Sequence, residues 1–308
     1  MSDIRDMLII GSGPAGMGTA LYAARAGIDA VVIESNPLPG GQIVNTTEVD
    51  NYLGLPGIGG FEMGEVFRKH AEQLGAEFIE DVISSVRADD GIYIVSGAKE
   101  EYRTRTVVFA TGAHRSKLGI PGEEEFTGRG VSYCATCDGA FFRNKETVVI
   151  GGGDVAVEDA VYLAGLCSHV TLVHRRDELR AARSVQDALF AKENVTLAWN
   201  TIPDEVIGEQ VVKALRVHNK ETGETGELPV SGVFIAVGMK PDSALAEGLC
   251  DLDEKGYIIA REDCVTSAPG IYAAGDVRTK NLRQVITAVS DGACAVTSAE
   301  AYLRTLNI

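Results

Sequence analysis

Apolar positions along the chain fall into short runs that stop at glycine. In "MLIIGSGPAGMGTALYAARAGIDAVVIES" four apolar residues, Met7 to Ile10, break at Gly11; apolar positions then recur at helical spacing, and a second aliphatic run ends at Glu34. Strand, glycine turn, helix and strand in this order make a βαβ unit. "TVVIGGGDVAVEDAVYLAGLCSHVTLVHRR" repeats the pattern without a gap: Gly11 matches Gly151, Gly13 matches Gly153, Gly16 matches Ala156 and Tyr22 matches Tyr162. Two further apolar strands, "VVFATGA" and "IYAAGDV", stop at Thr111–Gly112 and Gly275–Asp276. "EMGEVFRKHAEQLGAEF" predicts an amphipathic helix leading into a strand, with His70 on the helix face, and "HNKETGETGELPV" predicts a surface hairpin. "DGACAV" predicts a helix of small residues, suited to close packing.

The repeat predicts an α/β protein of two Rossmann-like dinucleotide-binding domains, the second inserted in the first. Because "IYAAGDV" must return to the first sheet, the first domain is expected at residues 1–113 and 245–308 and the second at 114–244. "TGAHRSKLGIPG" and "VGMKPDSA" at its edges have hinge-like composition. In such a turn the first glycine makes the bend and the second lets backbone approach a pyrophosphate. The third, or alanine, lets helix and strand pack closely, and the helix dipole favours the phosphate charge.

The two copies differ where the second strand ends, beside the ribose 2′-hydroxyl. Glu34 in the first suits a free hydroxyl pair. In the second the same register holds His174, followed by Arg175 and Arg176, with Arg180 beyond. Guanidinium groups bind a 2′-phosphate that a carboxylate would repel. The first site therefore fits FAD or NAD and the second NADPH. Two nucleotide sites in one chain point to a bound carrier that passes electrons onward, which favours FAD. "LPGGQI", with Gly40, Gly41 and Gln42, supplies a loop able to approach a second phosphate or the ring system.

At 308 residues, 45% hydrophobic and with 35 glycines, the composition fits two well-packed α/β domains. A formal charge of −16 with no basic stripe excludes the footprint of a nucleic-acid binder, and an anionic membrane would repel the chain. The apolar stretch before the first glycines is too short for a signal peptide or a spanning helix, so a cytoplasmic protein is expected.

Of six cysteines, Cys167, Cys250, Cys264 and Cys294 stand singly among apolar or small neighbours and are expected in the core. Cys134 and Cys137, in "YCATCDG", are different. A structural zinc would need a second ligand pair at suitable spacing, and none of the other cysteines forms one; no metal is expected. A permanent disulfide would face a reducing cytosol. A redox switch meets both objections, since two cysteines so spaced can close and reopen a small ring, and one thiol of such a pair has a lowered pKa.

These segments, with "HRRDELRA" and "RQVITAVSDGACAV", resemble the low-molecular-weight thioredoxin reductases over nearly the whole chain. The resemblance implies FAD at the first site, held by Gly11, Gly13, Pro14, Ala15, Gly16 and Glu34, by Gly41, Gln42 and Asn51 of the following loop, and by Thr111, Gly112 and Gly275. It places Asp276 on the ribitol chain and Arg283 and Gln284 along the isoalloxazine. NADPH is implied at Gly151, Gly153, Asp154 and Ala156, with His174, Arg175, Arg176 and Arg180. Cys137 would face the flavin, Cys134 would attack the external disulfide and Asp138 would act as general acid or base. Taken alone, Asp276 and Asp138 read equally well as turn residues.

The implied partner is thioredoxin or a related small dithiol protein, and the implied assembly a homodimer. No cysteine precedes residue 134, so disulfide and nicotinamide share the second domain; rotation of that domain between two docked states is the expected consequence. "NYLGLPG" departs from relatives that have an aromatic directly followed by Pro-Gly. A ferredoxin-dependent flavin thioredoxin reductase is the second reading, although such relatives are expected to lack the "GGG" and "HRR" features retained here; a flavin dithiol oxidase and a redox sensor are the other readings.

Overall fold

Branched aliphatic side chains suit a pleated surface buried on both faces, and they set the strands at the centre of each sheet. The computed structural model describes residues 4–46 and 48–306. The chain divides into two compact units, Met1–His114 with Lys240–Ile308, and Arg115–Met239.

The first unit begins with β1 (Arg5–Ile10), α1 (Pro14–Ala26) and β2 (Ala30–Glu34), followed by α2 (Gly60–Gln73) and β3 (Glu77–Glu80). The helix-then-strand pattern around His70 is thus realised. An antiparallel meander follows, β4 (Ile83–Asp89), β5 (Ile92–Gly97) and β6 (Glu101–Phe109), and β7 (Ala113–Arg115) leads out.

The second unit contains β8 (Val131–Ser132), α3 (Ala135–Asp138), β9 (Glu146–Gly151), α4 (Asp154–Ala164), β10 (His169–Val173), α5 (Arg183–Phe190) and β11 (Val195–Ala198). A three-stranded antiparallel sheet, β12 (Thr201–Gly208), β13 (Val212–Asn219) and β14 (Thr225–Pro229), includes the predicted hairpin. β15 (Gly232–Ala236) completes a parallel sheet in the order β11-β10-β9-β15-β8. β16 (Met239–Pro241) pairs with β7, after which β17 (Ile271–Ala273) and α6 (Val285–Thr305) rejoin the first unit.

The first sheet runs β3-β2-β1-β6-β5-β4, and β17 pairs parallel to the end of β6. "IYAAGDV" therefore does return to it. Ile33 faces Ile10, Ile10 faces Phe109 and Phe109 faces Ala273, so four parallel strands reach one edge together. Alternate residues serve opposite faces: Leu8, Ile10 and Val107 enter one cluster, Met7, Ile9 and Val108 another. The second cluster lies under α1 and α6, which pack through small residues; a Cβ on Gly292 would stand 2.5 Å from the Thr19 amide nitrogen. Cys167, Cys250 and Cys264 are buried and Cys294 is half-buried.

Candidate functional site

In the first unit the βα turn closes at the carboxyl edge of the sheet. Gly11 adopts φ +104°, and a Cβ on Gly16 would sit 1.8 Å from the Gly11 carbonyl oxygen, so α1 packs on the turn only because that residue is glycine. A Cβ at Gly13 would meet nothing within 4 Å. The amides opening α1 thus look onto space of the kind a diphosphate fills.

Glu34 stands at the end of β2, as the register predicts, but its carboxylate is already engaged. Oε2 accepts from the Ser12 amide (2.7 Å) and hydroxyl (2.9 Å), and Oε1 from the Asn36 amide (2.8 Å) and Ser35 hydroxyl (3.2 Å). The two serine hydroxyls are rotors that ribose hydroxyls can replace. "LPGGQI" folds onto this turn: the Gly40 amide donates to the Ser12 carbonyl, and a Cβ on Gly41 would lie 3.1 Å from Gly13 Cα.

The same edge gathers the later segments. Gln42 donates through Nε2 to the Ala113 carbonyl. Thr111 donates through Oγ1 to the Asp242 carbonyl at 2.6 Å, and the Asp242 amide donates to the Gly112 carbonyl. A Cβ on Gly275, which has φ +80°, would lie 2.8 Å from the Cβ of Ala15, so the turn carrying Asp276 rests against the start of α1. Pro14 is the first residue of α1. Gln284 caps α6 in a reciprocal box with Thr287, and its Oε1 accepts from Asn51 at 3.1 Å. The Arg283 guanidinium lies 4.3 Å from the centre of the Tyr257 ring, with its Nε buried and unpartnered.

In the second unit Gly151 ends β9, and a Cβ there would meet the Ala236 carbonyl oxygen and the Ala156 Cβ, each at 2.5 Å. A Cβ at Gly153, like one at Gly13, would meet nothing within 4 Å. His174 differs from its expected companions. It is 4% exposed, its ring stands where a Gly152 side chain would be, and burial holds its pKa below the usual histidine value. A neutral ring with an unpartnered Nε2 offers a hydrogen bond, not charge, so the positive charge of "HRR" resides in the exposed Arg175 and Arg176, with Arg180 nearby in sequence. Asp154 is engaged with the protein itself, accepting from the Ala182 amide at 2.7 Å; with the Arg180 amide on the Gly152 carbonyl, this folds the arginine turn back on the glycine turn.

Among the described residues the only buried side-chain polar atoms without partners are Arg283 Nε, before α6 in the first unit, and His174 Nε2, beside the glycine turn of the second. Orphans of this kind are rare unless a ligand completes them. Together with the open cradles at Gly13 and Gly153, they fit one dinucleotide per unit.

Cys134 and Cys137 form a disulfide, with Cα atoms 5.3 Å apart, where Cys134 caps α3. β8, which leads into it, is the edge strand beside β15, and β15 lies beside β9. Disulfide and glycine turn therefore share the carboxyl edge of one parallel sheet, two strand spacings or about 10 Å apart laterally. Asp138 accepts through Oδ2 from the Ser132 hydroxyl (2.6 Å), and Ser132 Oγ also lies 3.0 Å from the Cys134 amide nitrogen, which donates to it. Ser132 is 5% exposed, and the sequence reading missed it. Its only signal was a hydroxyl two positions before the first cysteine. Also missed was the lone acid of "DGACAV", Asp291, which binds the Gly275 amide, Arg278 and Lys280.

Burial pushes the Cys250 thiol up to about 11 and the Cys264 thiol up to about 12, and raises Cys167. These thiols stay protonated near neutrality and do not compete with the pair.

A family model for pyridine nucleotide-disulphide oxidoreductases matches residues 5–292. The thioredoxin reductase of Peptoclostridium litorale is 46% identical over 313 residues, covering 99% of this chain and 99% of that protein. That of Bacillus subtilis is 45% identical over 304 residues, covering 98% and 96%. The crystal structure of thioredoxin reductase from Streptococcus pyogenes matches with a TM-score of 0.92 at 44% identity, over 98% of this chain and 99% of that one.

Proposed function

Since the chain belongs to the pyridine nucleotide-disulphide oxidoreductase family and, within it, to the low-molecular-weight thioredoxin reductases, we propose that it carries electrons from NADPH through FAD and the Cys134–Cys137 disulfide to oxidised thioredoxin or a similar small dithiol protein. One observation carries the reading: the disulfide closes at the same sheet edge as the glycine turn that faces the arginines.

We assign FAD to the first unit. The α1 amides from Gly13 to Gly16 hold its diphosphate, Glu34 its ribose, Asp276 its ribitol chain, and Arg283 and Gln284 its ring. NADPH is assigned to the second, with the α4 amides after Gly153 on the diphosphate and Arg175, Arg176 and Arg180 on the 2′-phosphate. Once bound, the nicotinamide supplies hydride and the flavin converts it into an electron pair that a disulfide accepts.

The protein's own steps are thiol chemistry. The Cys134 thiolate attacks one sulfur of the partner disulfide, forming a mixed disulfide and releasing the first partner thiolate. Cys137 then attacks Cys134 Sγ, which restores the intrachain disulfide and releases the second. Asp138, steadied by Ser132, exchanges protons with the thiols as they form and leave. Glutathione-type reductases carry their cysteines beside the first nucleotide motif; here the pair travels with the second. The homodimer and the cytoplasmic location are assigned on the resemblance. Among the described residues no helix is long and apolar enough to cross a membrane.

The decisive experiment follows flavin absorbance anaerobically while NADPH is added. Bleaching that oxidised thioredoxin reverses is the expected result. A flavin that stays oxidised with NADPH but bleaches with reduced ferredoxin would overturn the assignment of the second site.

A further inference from the structure

A buried ion cluster stands behind the Gly275–Asp276 turn. Arg278, Lys280 and Asp291 side chains are 4%, 6% and 8% exposed. The Asp291 carboxylate collects donors from three places: the Gly275 amide (2.8 Å), Arg278 Nε (2.9 Å) and Lys280 Nζ (2.7 Å) on Oδ2, and Arg278 Nη2 (2.8 Å) on Oδ1. Burial works to raise its pKa, but the Arg278 and Lys280 hydrogen bonds prevail and hold the carboxyl below the usual range. Replacing such a buried cluster by apolar residues is often neutral or stabilising, so fold stability alone does not account for it.

Its contacts lead to the flavin-side residues. The Gly275 amide is drawn to Asp291 while Gly275 itself rests against Ala15, so the turn is clamped between α6 and the start of α1. Arg278 extends the clamp: its carbonyl accepts from Arg283 Nη2 at 3.3 Å, and its Nη1 donates to the Thr279 carbonyl at 3.0 Å. We propose that Asp291 is a positioning residue of the FAD site that acts by fixing the Gly275–Asp276 turn. The inference rests on the assignment of FAD to the first unit. Asp291 does not touch the cofactor; it holds Asp276 in the place from which Asp276 binds.

The test is a double-mutant cycle on FAD affinity, measured by adding FAD to the deflavinated full-length chain and following the quenching of its fluorescence. Asp291→Asn alone weakens FAD binding by about 10- to 100-fold, on the scale of a lost charge-assisted hydrogen bond. In an Asp276→Ala background the same substitution causes at most about a twofold further loss, because the residue it positions is gone. A merely structural role gives losses that multiply, and that result, or an unchanged affinity in Asp291→Asn, overturns the proposal. Should Asp291→Asn fail to fold, Lys280→Met, which leaves the Arg278–Asp291 pair, takes its place, with a loss of about threefold that likewise vanishes beside Asp276→Ala. Because the substitutions lie in the first unit, far-ultraviolet circular dichroism of the whole chain monitors folding in every variant. A wild-type chain that binds no FAD refutes the site assignment, whereas a wild type that binds tightly beside indifferent variants refutes only the role of Asp291.

Discussion

Replacing Asp159 by Asn should stabilise the second unit by about 3 kcal/mol at pH 8 and by about half that at pH 5. Asp159 lies on α4, and its carboxyl is pushed from an ordinary 3.8 up to about 6; burial is the main cause, Arg115 pulls the value down and Glu158 pushes it up. A raised acid is bound more tightly by its proton in the folded chain than in the unfolded one. Its contribution is therefore most favourable below the unfolded pKa and is lost as pH rises through the folded one. Between pH 4 and 6 the unfolded chain ionises first; above pH 6 the folded chain carries the full cost of a poorly solvated charge, about 1.4 kcal/mol for each unit of separation. Asn imitates the protonated form and escapes that cost at every pH. Urea unfolding can be followed by the fluorescence of Trp199, the only tryptophan of the chain, which stands edge-on to His174. His174 titrates alike in both proteins and cancels in the difference. Equal gains at the two pH values, or none at pH 8, would show that the carboxyl is not raised and that burial is not its governing interaction.

Ser132→Ala should slow electron transfer between flavin and disulfide about tenfold in rapid-mixing experiments, with no added effect in an Asp138→Asn background; multiplying effects would separate Ser132 from Asp138. Arg175→Ala with Arg176→Ala should raise KM for NADPH by about 10- to 100-fold and leave NADH nearly unaffected, and an unaltered preference would remove both from the 2′-phosphate site. Gly16→Ala, whose Cβ would stand 1.8 Å from the Gly11 carbonyl oxygen, should give protein purified without flavin; a normally yellow product would mean that α1 can shift. Alkylation of the NADPH-reduced native enzyme at pH 8 should modify Cys134 or Cys137 and spare Cys250 and Cys264, whose pKa values burial raises; mass spectrometry of the peptides decides.

What was legible in the sequence is what neighbours in sequence decide. The βαβ repeat shows because tight turns need glycine at fixed offsets, and the redox pair shows because the two cysteines close their ring within one helical turn. The return of "IYAAGDV" beside β6 was inferable because an apolar strand ending in Gly275 and Asp276 needs a parallel neighbour. Ser132 and Asp291 were not legible, since their roles arise from folding. Ser132 meets Asp138 because the chain turns back on itself at the end of an edge strand, and Asp291 meets Gly275 because α6 packs down on α1 after a long excursion through the second unit. A hydroxyl near cysteines and one acid among small residues are too common to single out.

The difference between the two nucleotide turns has a steric counterpart that register alone did not show. In the first copy the residue between the glycines is Ser12, and its amide and hydroxyl capture Glu34 from across the strand. In the second that residue is Gly152, and the space a side chain would need is taken by the His174 ring, at 2.2 Å from where a Cβ would stand. The middle residue of each turn is thus matched to the residue at the end of the next strand: serine where a carboxylate is held, glycine where an imidazole ring takes the place of a side chain. Converting the second turn to the first therefore requires both positions together. A serine at 152 would collide with His174 and displace the strand end that carries Arg175 and Arg176, whereas a glutamate at 174 above Gly152 would lack the hydroxyl that steadies Glu34. On the proposed assignment of NADPH to the second unit, nucleotide preference rests on a pair of positions on adjoining elements, and changing the arginines alone should weaken NADPH without creating a site for a free ribose.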